Sequence, residues 1–450
     1  MDDISFIGTT DFRGTHRFFG YRQEDRRLPT HILGKTGSGK TTLLKFLLAQ
    51  DLRDGRGVCL IDLHGDLSRQ MLDLVPPERT GHVAYFCPVD EAPIGLNILE
   101  HVPVERRHTV ASAVVSIFKD VWGPSGGIQG RSEDLLRNAV TALLDVPEST
   151  LLWLPRFITD HPWRETLLRH VTDPVVRAFW QQEFARYSPS MKLDYTAALL
   201  NKIRAYITAP PLRHVFGQWN AKLDLRWLMD RSRILIVDLA KGRLGEDKAA
   251  LVGKLVMMKL VLTAYSRVDQ PEEARVDFAI IADEMQTVCS PVLAQALSEV
   301  RKFRTPLTLA HQFLGQLSRE VREALRGNVG TLICFTVGAE DAAELEAEFS
   351  PEFTRRDLIN LGRGQAYVRV ACEGQTSRPF SARTRPWPAR VDEARREAIL
   401  RASRERYGRP RAVVDRWIEA WYAEQETPVR APSPPRPRRR SPAKALPKGP

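Results

Sequence analysis

Apolar residues follow two patterns along this chain. Short continuous apolar runs alternate with segments of helical spacing at both ends, and a middle stretch shows helical spacing alone. The run 30–33 (THIL) predicts a short strand leading into a glycine-rich turn. Residues 41–52 predict the helix that follows, with Leu43, Leu44, Phe46, Leu47 and Leu48 on its buried side. The run 57–62 (GVCLID) predicts a strand that ends in an acid. Strands apolar at every position suit a parallel sheet covered on both faces. Further strands are predicted at 233–239, 278–282, 307–310, 331–337 and 365–370, each separated from the next by helical or turn sequence. This alternation predicts an α/β fold with a doubly wound, mostly parallel sheet. Residues 1–29 predict only a short lead-in, with a candidate strand at Phe18 and Phe19.

Between about 104 and 217 strand-like runs are scarce. Val110, Ala113, Val114, Ile117, Phe118 and Val121 recur at helical spacing, and so do Leu135, Leu136, Ala139, Val140, Leu143 and Leu144. The stretch predicts an all-helical insertion. Residues 391–406 and 412–423 predict two terminal helices, broken by Gly408 and Pro410.

The chain has 450 residues, enough for a large core with an insertion. Its formal net charge of +11 is uneven. The stretch 428–450 holds seven basic residues and no acidic one, so the remaining body is only mildly basic. That tail, rich in Pro and Arg, is expected to be disordered. It either attracts nucleic acid nonspecifically or serves as a solubilising end. The five cysteines lie far apart with no CxxC pair, which argues against a zinc site or a disulfide framework. No signal peptide is expected at Met1-Asp2-Asp3, and no run of 18 apolar residues occurs. The nearest candidate span, 249–265, carries Lys254 and Lys259 and predicts a buried or amphipathic helix. A cytoplasmic protein is expected, held at a membrane only through a partner.

The chemistry begins at Gly34-Lys35-Thr36-Gly37-Ser38-Gly39-Lys40-Thr41, a full GxxxxGK[ST] match with the required strand before it and helix after it. Glycines let backbone N–H groups turn inward around phosphate oxygens. The helix that follows aims its positive end at the same place. Lys40 is expected on the β- and γ-phosphates of ATP and Thr41 on Mg²⁺. Nucleotide contacts are expected over Gly34, Lys35, Thr36, Gly37, Ser38, Gly39, Lys40, Thr41 and Thr42. The second half of such a site is an acid at a strand end. Asp283 and Glu284 follow the run 278–282. Asp283 is expected to hold Mg²⁺ through water and Glu284 to polarise the attacking water. A plain helix-capping acid pair is the alternative. Asp238 is a rival for the Mg²⁺ role, and Asp62 is either a catalytic acid or a helix cap. Gln312 ends the run after the acid pair, where an amide could sense the γ-phosphate, although an isolated Gln at a strand end is more often solvated. His64 and His311 are expected to be hydrogen-bonding residues rather than catalysts.

The stretches GKTGSGKTTLL (34–44), LIDLHGDL (60–67), VDLAKGRLGED (237–247), IADEMQTV (281–288), LSEVRKFRTPLTLAHQFLGQL (297–317), RGNVGTLICFTVGAEDA (326–342) and LINLGRGQAYVRV (358–370) together resemble the HerA/FtsK superfamily of hexameric DNA pumps. The likeness is nearest to the TraG/TraD-type coupling proteins of conjugative type IV secretion. It implies a RecA-like P-loop ATPase core in two parts, 1–103 and 218–388, around a helical insertion at 104–217. C-terminal helices at 389–426 and the tail at 427–450 would follow. It also implies a homo-hexameric ring with ATP at subunit junctions and DNA in the channel. By position, Lys40 and Thr41 form Walker A, Asp283 and Glu284 Walker B, and Gln312 the motif-III glutamine. An arginine finger from the neighbouring subunit is implied, with Arg301 in the expected place and Arg304 and Arg326 as alternatives; an exposed helix charge is the plain reading of Arg301. Such coupling proteins usually begin with transmembrane helices, for which Lys40 leaves too little chain here, and Leu63 stands where proline is common. The functions in play are a DNA translocase, a secretion ATPase acting on protein, and an ATP-dependent docking module whose helical insertion recognises a relaxase or effector; a relaxase or membrane secretion-channel proteins are the partners in view.

Overall fold

In this computed structural model the residues described are 4–12, 14, 16–123, 130–388 and 390–426. The basic tail expected from 427 lies outside them.

The strands are β1 (Ile4–Thr10), β2 (Phe18–Arg22), β3 (Thr30–Leu33), β4 (Gly57–Asp62), β5 (Val83–Phe86), β6 (Ile234–Asp238), β7 (Phe278–Ala282), β8 (Leu307–His311), β9 (Thr331–Cys334), β10 (Gln365–Arg369), β11 (Ala371–Cys372), β12 (Gln375–Thr376) and β13 (Phe380–Arg383). Eleven of them form one sheet in the order β2-β1-β13-β10-β9-β3-β8-β7-β4-β6-β5; β11 and β12 make a separate small ribbon. From β9 to β5 all neighbours are parallel. From β9 outward to β2 they are antiparallel. The burial follows the sequence pattern. Strands β3, β4, β6, β7 and β8 are buried at every position, whereas β10 alternates. Helices cover both faces of the parallel part, so its strands are mostly apolar, and the few polar side chains there, such as His31 and His311, are buried.

Three strands of the sheet lie outside the predicted set: β1 and β13, which are mixed in polarity, and β5, a short apolar run (VAYF). The first two strands form a hairpin, so Ile4–Thr10 and Phe18–Arg22, within the expected lead-in, belong to the sheet. Long-range contacts hold it. Gln50, on the helix Lys40–Arg53, pairs with both backbone groups of Phe6 at 2.8 and 2.9 Å. Asp51 accepts two hydrogen bonds from buried Arg26 at 2.5 and 2.6 Å.

Between residues 104 and 217 the described residues contain helices and turns but no strand. The long helices Arg107–Trp122, Arg131–Asp145 and Pro189–Ile207 pack on a core that includes Phe157 and the fully buried Trp180. Ser188 caps the last of these by accepting from Met191 N, with Pro189 at the first helical position, where its missing N–H costs nothing.

The C-terminal helices join the two parts. Glu393–Tyr407 lies against β5, with Arg396 paired to Asp73 at 2.6 Å and Arg404 to Asp90 at 2.9 Å. Arg411–Glu426 lies on the helical part, where Trp421 stacks on Trp153 with ring centres 5.9 Å apart. Among the described residues, one helix has the length and hydropathy to cross a membrane. It spans Glu246–Asp269, and 67% of its apolar window is buried inside the protein.

Candidate functional site

Parallel strands all point their carboxyl ends the same way, so loops from separate segments meet on one edge. The loop after β3 carries Gly34 to Gly39, the loop after β7 carries Asp283 and Glu284, and β8 is followed by Gln312. Strands β3, β8 and β7 are consecutive neighbours, which puts these three loops side by side.

The phosphate loop has the shape its glycines permit. Gly37 and Gly39 have φ of 76° and 130°, where a side chain would be strained. A Cβ on Gly39 would also stand 3.2 Å from Gly364 Cα. The loop is fixed from outside by backbone bonds from Lys35 N to Thr336 O (2.9 Å) and from Gly364 N to Ser38 O (2.8 Å). Lys40 Nζ donates to the loop carbonyls of Gly34 (2.6 Å) and Lys35 (3.2 Å). Burial lowers its pKa, against the opposing pull of Glu284 and Asp283. Ser38 Oγ is buried without a hydrogen-bond partner.

Thr41 Oγ1 donates to Asp283 Oδ2 at 3.4 Å. That separation lets one Mg²⁺ reach both oxygens, directly or through its own water, since the ion keeps several waters and binds oxygen at about 2.0–2.1 Å. Asp283 has its pKa pushed up to about 6, first by burial and then by the charges of Glu284 and Asp62, with Lys40 opposing. A cation there would relieve a real excess of negative charge. The orphaned Ser38 hydroxyl, the glycine cradle and the crowded carboxylates fit a nucleotide with its Mg²⁺.

Glu284 sits in the left-handed region, with φ of 55°. One carboxylate oxygen accepts from Gln312 Nε2 at 2.7 Å and the other from Gln286 Nε2 at 2.8 Å. Gln312 Oε1 accepts from Thr36 Oγ1 at 3.1 Å. The glutamine therefore bridges the acid and the phosphate loop.

The other candidates fall elsewhere. Both oxygens of Asp62 accept backbone hydrogen bonds, from His64 N (3.1 Å) and Ser68 N (2.7 Å), which is a loop- and helix-capping arrangement. Asp238 lies one strand beyond Asp62 and accepts from the Tyr85 hydroxyl at 2.8 Å and Ala240 N at 2.9 Å. Arg301 is exposed on the turn Val300–Phe303, before β8, at the opposite end of the strands from Lys40. Arg304, on the same side, donates to Arg275 O at 3.0 Å. Arg326 pairs with Glu344. No candidate arginine reaches the phosphate loop of its own chain.

Sequence reasoning missed Gln286, although it lies inside the quoted stretch IADEMQTV. It also missed Phe335 and Gly364, which wall the phosphate loop. Their loops pack there through the sheet order, which no local pattern discloses. His311 proves to be half of a buried pair, with its Nε2 2.7 Å from His31 Nε2.

The fold has counterparts among known proteins. Residues 30–100 match the family model described as the central domain of helicase HerA. TrwBdeltaN70, a bacterial conjugative coupling protein in unbound form, is similar in structure at 16% identity, TM-score 0.61, over 85% of this chain and 90% of that one. The chain has the fold of a HerA/FtsK-type P-loop ATPase. Another similar structure is plasmid coupling protein TrwB in complex with ADP and Mg²⁺, at 14% identity and TM-score 0.59 over 85% of this chain and 90% of that one. VirB4 of Thermoanaerobacter pseudethanolicus is similar at 16% identity and TM-score 0.55, over 85% of this chain and 96% of that one. No curated protein matches the sequence.

Proposed function

We propose that this protein hydrolyses Mg-ATP and uses the energy to move DNA through a ring of identical subunits, as a motor of conjugative type IV secretion. The observation that carries the ATPase reading is the convergence of Lys40, Thr41, Asp283, Glu284 and Gln312 from three separate loops. Lys40 and the phosphate-loop amides bind the phosphates; Thr41 and Asp283 hold the metal. Mg²⁺ would supply charge neutralisation between the phosphates. Glu284, oriented by Gln286 and Gln312, polarises the attacking water. Gln312 is tied to the acid and to the phosphate loop at once, so it can report the γ-phosphate to both. Arg301, remote from its own phosphate loop, would act as a finger only on a neighbour, which fits a ring with nucleotides at subunit junctions.

The DNA reading is supported by the resemblance in sequence and by the likeness in fold to a plasmid coupling protein over 85% of the chain. Basic side chains lining a pore would grip phosphates without reading sequence. The membrane secretion channel or a relaxase would be its docking partner, which would place it at the inner face of the membrane. The deciding experiment is the ATPase rate as a function of protein concentration, with and without single- and double-stranded DNA, at several salt concentrations. A rate that rises cooperatively with concentration and is stimulated by DNA at low salt is expected. Stimulation by a secreted polypeptide and not by DNA would replace this reading with a protein-exporting ATPase. Nucleotide binding without turnover would reduce it to an ATP-dependent docking module.

A further inference from the structure

On one face of the sheet, away from the phosphate loop, lies a cavity of about 260 Å³. The helices Arg319–Asn328 and Ala339–Phe349 form much of its wall. Its polar lining comprises three arginines, two glutamates, His31 and Thr376.

Two of the arginines are already engaged. Arg326 pairs with Glu344, and Arg369 with Glu348. Arg322 differs. Its nearest carboxylate, Glu344, is 3.7 Å away, and its Nε is buried with no hydrogen-bond partner.

The state of His31 follows from its neighbours. His311 Nδ1 lies 3.1 Å from Phe313 O, and a carbonyl can only accept, so Nδ1 carries the proton. Burial lowers the pKa of both rings, which keeps them neutral. His311 Nε2 is then a bare acceptor, and it lies 2.7 Å from His31 Nε2. His31 must place its own proton on that nitrogen. Its Nδ1 is left as a bare acceptor with no partner among the described residues, on a ring that lines the cavity and belongs to a residue only 5% exposed.

The cavity therefore offers one half-buried cation whose Nε has no hydrogen-bond partner and one acceptor nitrogen with no partner among the described residues. A ligand that answers both must accept from Arg322 and donate to His31. We propose that this cavity is a binding site for a small oxyanion that carries its own hydroxyl, inorganic phosphate being the simplest. Sulfate, fully deprotonated near neutral pH, offers Arg322 the same oxygens but has no hydrogen for His31. The site discriminates by that hydrogen.

Phosphate would also compete for the phosphate loop, so the test uses the full chain carrying Lys40→Ala. Isothermal titration with inorganic phosphate in that background is expected to show binding at least tenfold tighter than with sulfate. Adding Arg322→Gln should weaken both anions at least tenfold. Adding His31→Phe should erase the preference for phosphate over sulfate. Circular dichroism checks that each variant is folded. Arg322 is only half-buried, so its variant keeps the test alive if His31→Phe does not fold. Equal affinity for the two anions, absence of phosphate binding, or an unchanged affinity in Arg322→Gln overturns the proposal.

Discussion

Gln312 and Glu284 are joined by a 2.7 Å hydrogen bond, and the far end of the same amide accepts from Thr36 of the phosphate loop. A single side chain thus holds the candidate water-polarising acid in register with the nucleotide cradle. Gln312→Ala removes the tie without touching Lys40 or Asp283. Turnover is expected to fall by about 10²–10³, the range for losing one well-placed donor. Affinity for ATP should change by only a few fold. Steady-state rates with direct nucleotide titration check this, and a wild-type rate would remove Gln312 from the machinery.

The two ends of the site should separate binding from chemistry. Lys40→Ala is expected to abolish turnover by weakening the hold on the phosphates. Glu284→Gln keeps the shape and one acceptor but cannot polarise water, so it should bind ATP and fail to hydrolyse it. If Glu284→Gln turns over at more than about a tenth of the normal rate, the base lies elsewhere.

Asp283 carries a pH signature. Its pKa is pushed up to about 6 in the fold from an ordinary 3.8. The folded state therefore holds this proton where the unfolded chain has lost it, between those values. The ionised carboxylate costs stability that is fully felt above pH 6 and vanishes below about pH 4. The cost is on the order of 2–3 kcal/mol at most. Asp283→Asn should thus melt higher than the parent at pH 8 without nucleotide, and at the same temperature near pH 4. Mg²⁺-dependent nucleotide binding should weaken as pH falls through 6, because the protonated acid is a poor ligand. A lower melting temperature for Asp283→Asn at pH 8 would contradict the assignment.

The parallel part of the sheet was legible because its strands are buried on both faces and so are apolar at every position. The same reasoning found the acids, since a run of the type FAIIA ending in Asp-Glu is local information. Strands β1 and β13, in the antiparallel part, carry no such mark. Strand β1 reads ISFIGTT, mixed in polarity, with a register shift at Gly8, where a Cβ would stand 2.4 Å from Arg383 O. Strand β13 (FSAR) is shorter and also mixed in polarity. What makes these segments strands is their partners far along the chain. The candidate acids Asp62 and Asp238 show the same limit: each ends an apolar strand, yet only the sheet order shows that both lie beyond the loop that bears Asp283.

Those partners include a buried ion pair that can be tested alone. Arg26 and Asp51 are almost wholly buried, and Arg56 also reaches Asp51, at 3.4 Å. Asp51→Asn would leave the Arg26 guanidinium buried without its counter-charge. Breaking such a pair from one side costs about 3–5 kcal/mol. The urea midpoint should fall accordingly. A double change, Arg26→Met with Asp51→Leu, should recover much of the loss because no lone charge remains. A single variant as stable as the parent would mean that water reaches Arg26.

Arg301 tests the ring. It is exposed on a turn at the amino ends of the strands, while Lys40 and Asp283 stand at their carboxyl ends. One chain cannot bring the two together without unfolding the sheet, so any catalytic role must be exerted on a neighbour. Arg301→Ala should therefore lose about 10³-fold or more in turnover, the scale of an arginine finger, while a dilute chain binds nucleotide normally. Mixing Arg301→Ala with Lys40→Ala subunits sharpens the test. Each junction needs an intact cradle from one chain and an intact arginine from the next, so mixed rings should recover activity that neither variant has alone. If mixtures stay inactive although the chains co-assemble, or if Arg301→Ala turns over normally, attention passes to Arg304 and Arg326. Arg326 would first have to leave Glu344, and Arg304 the carbonyl of Arg275.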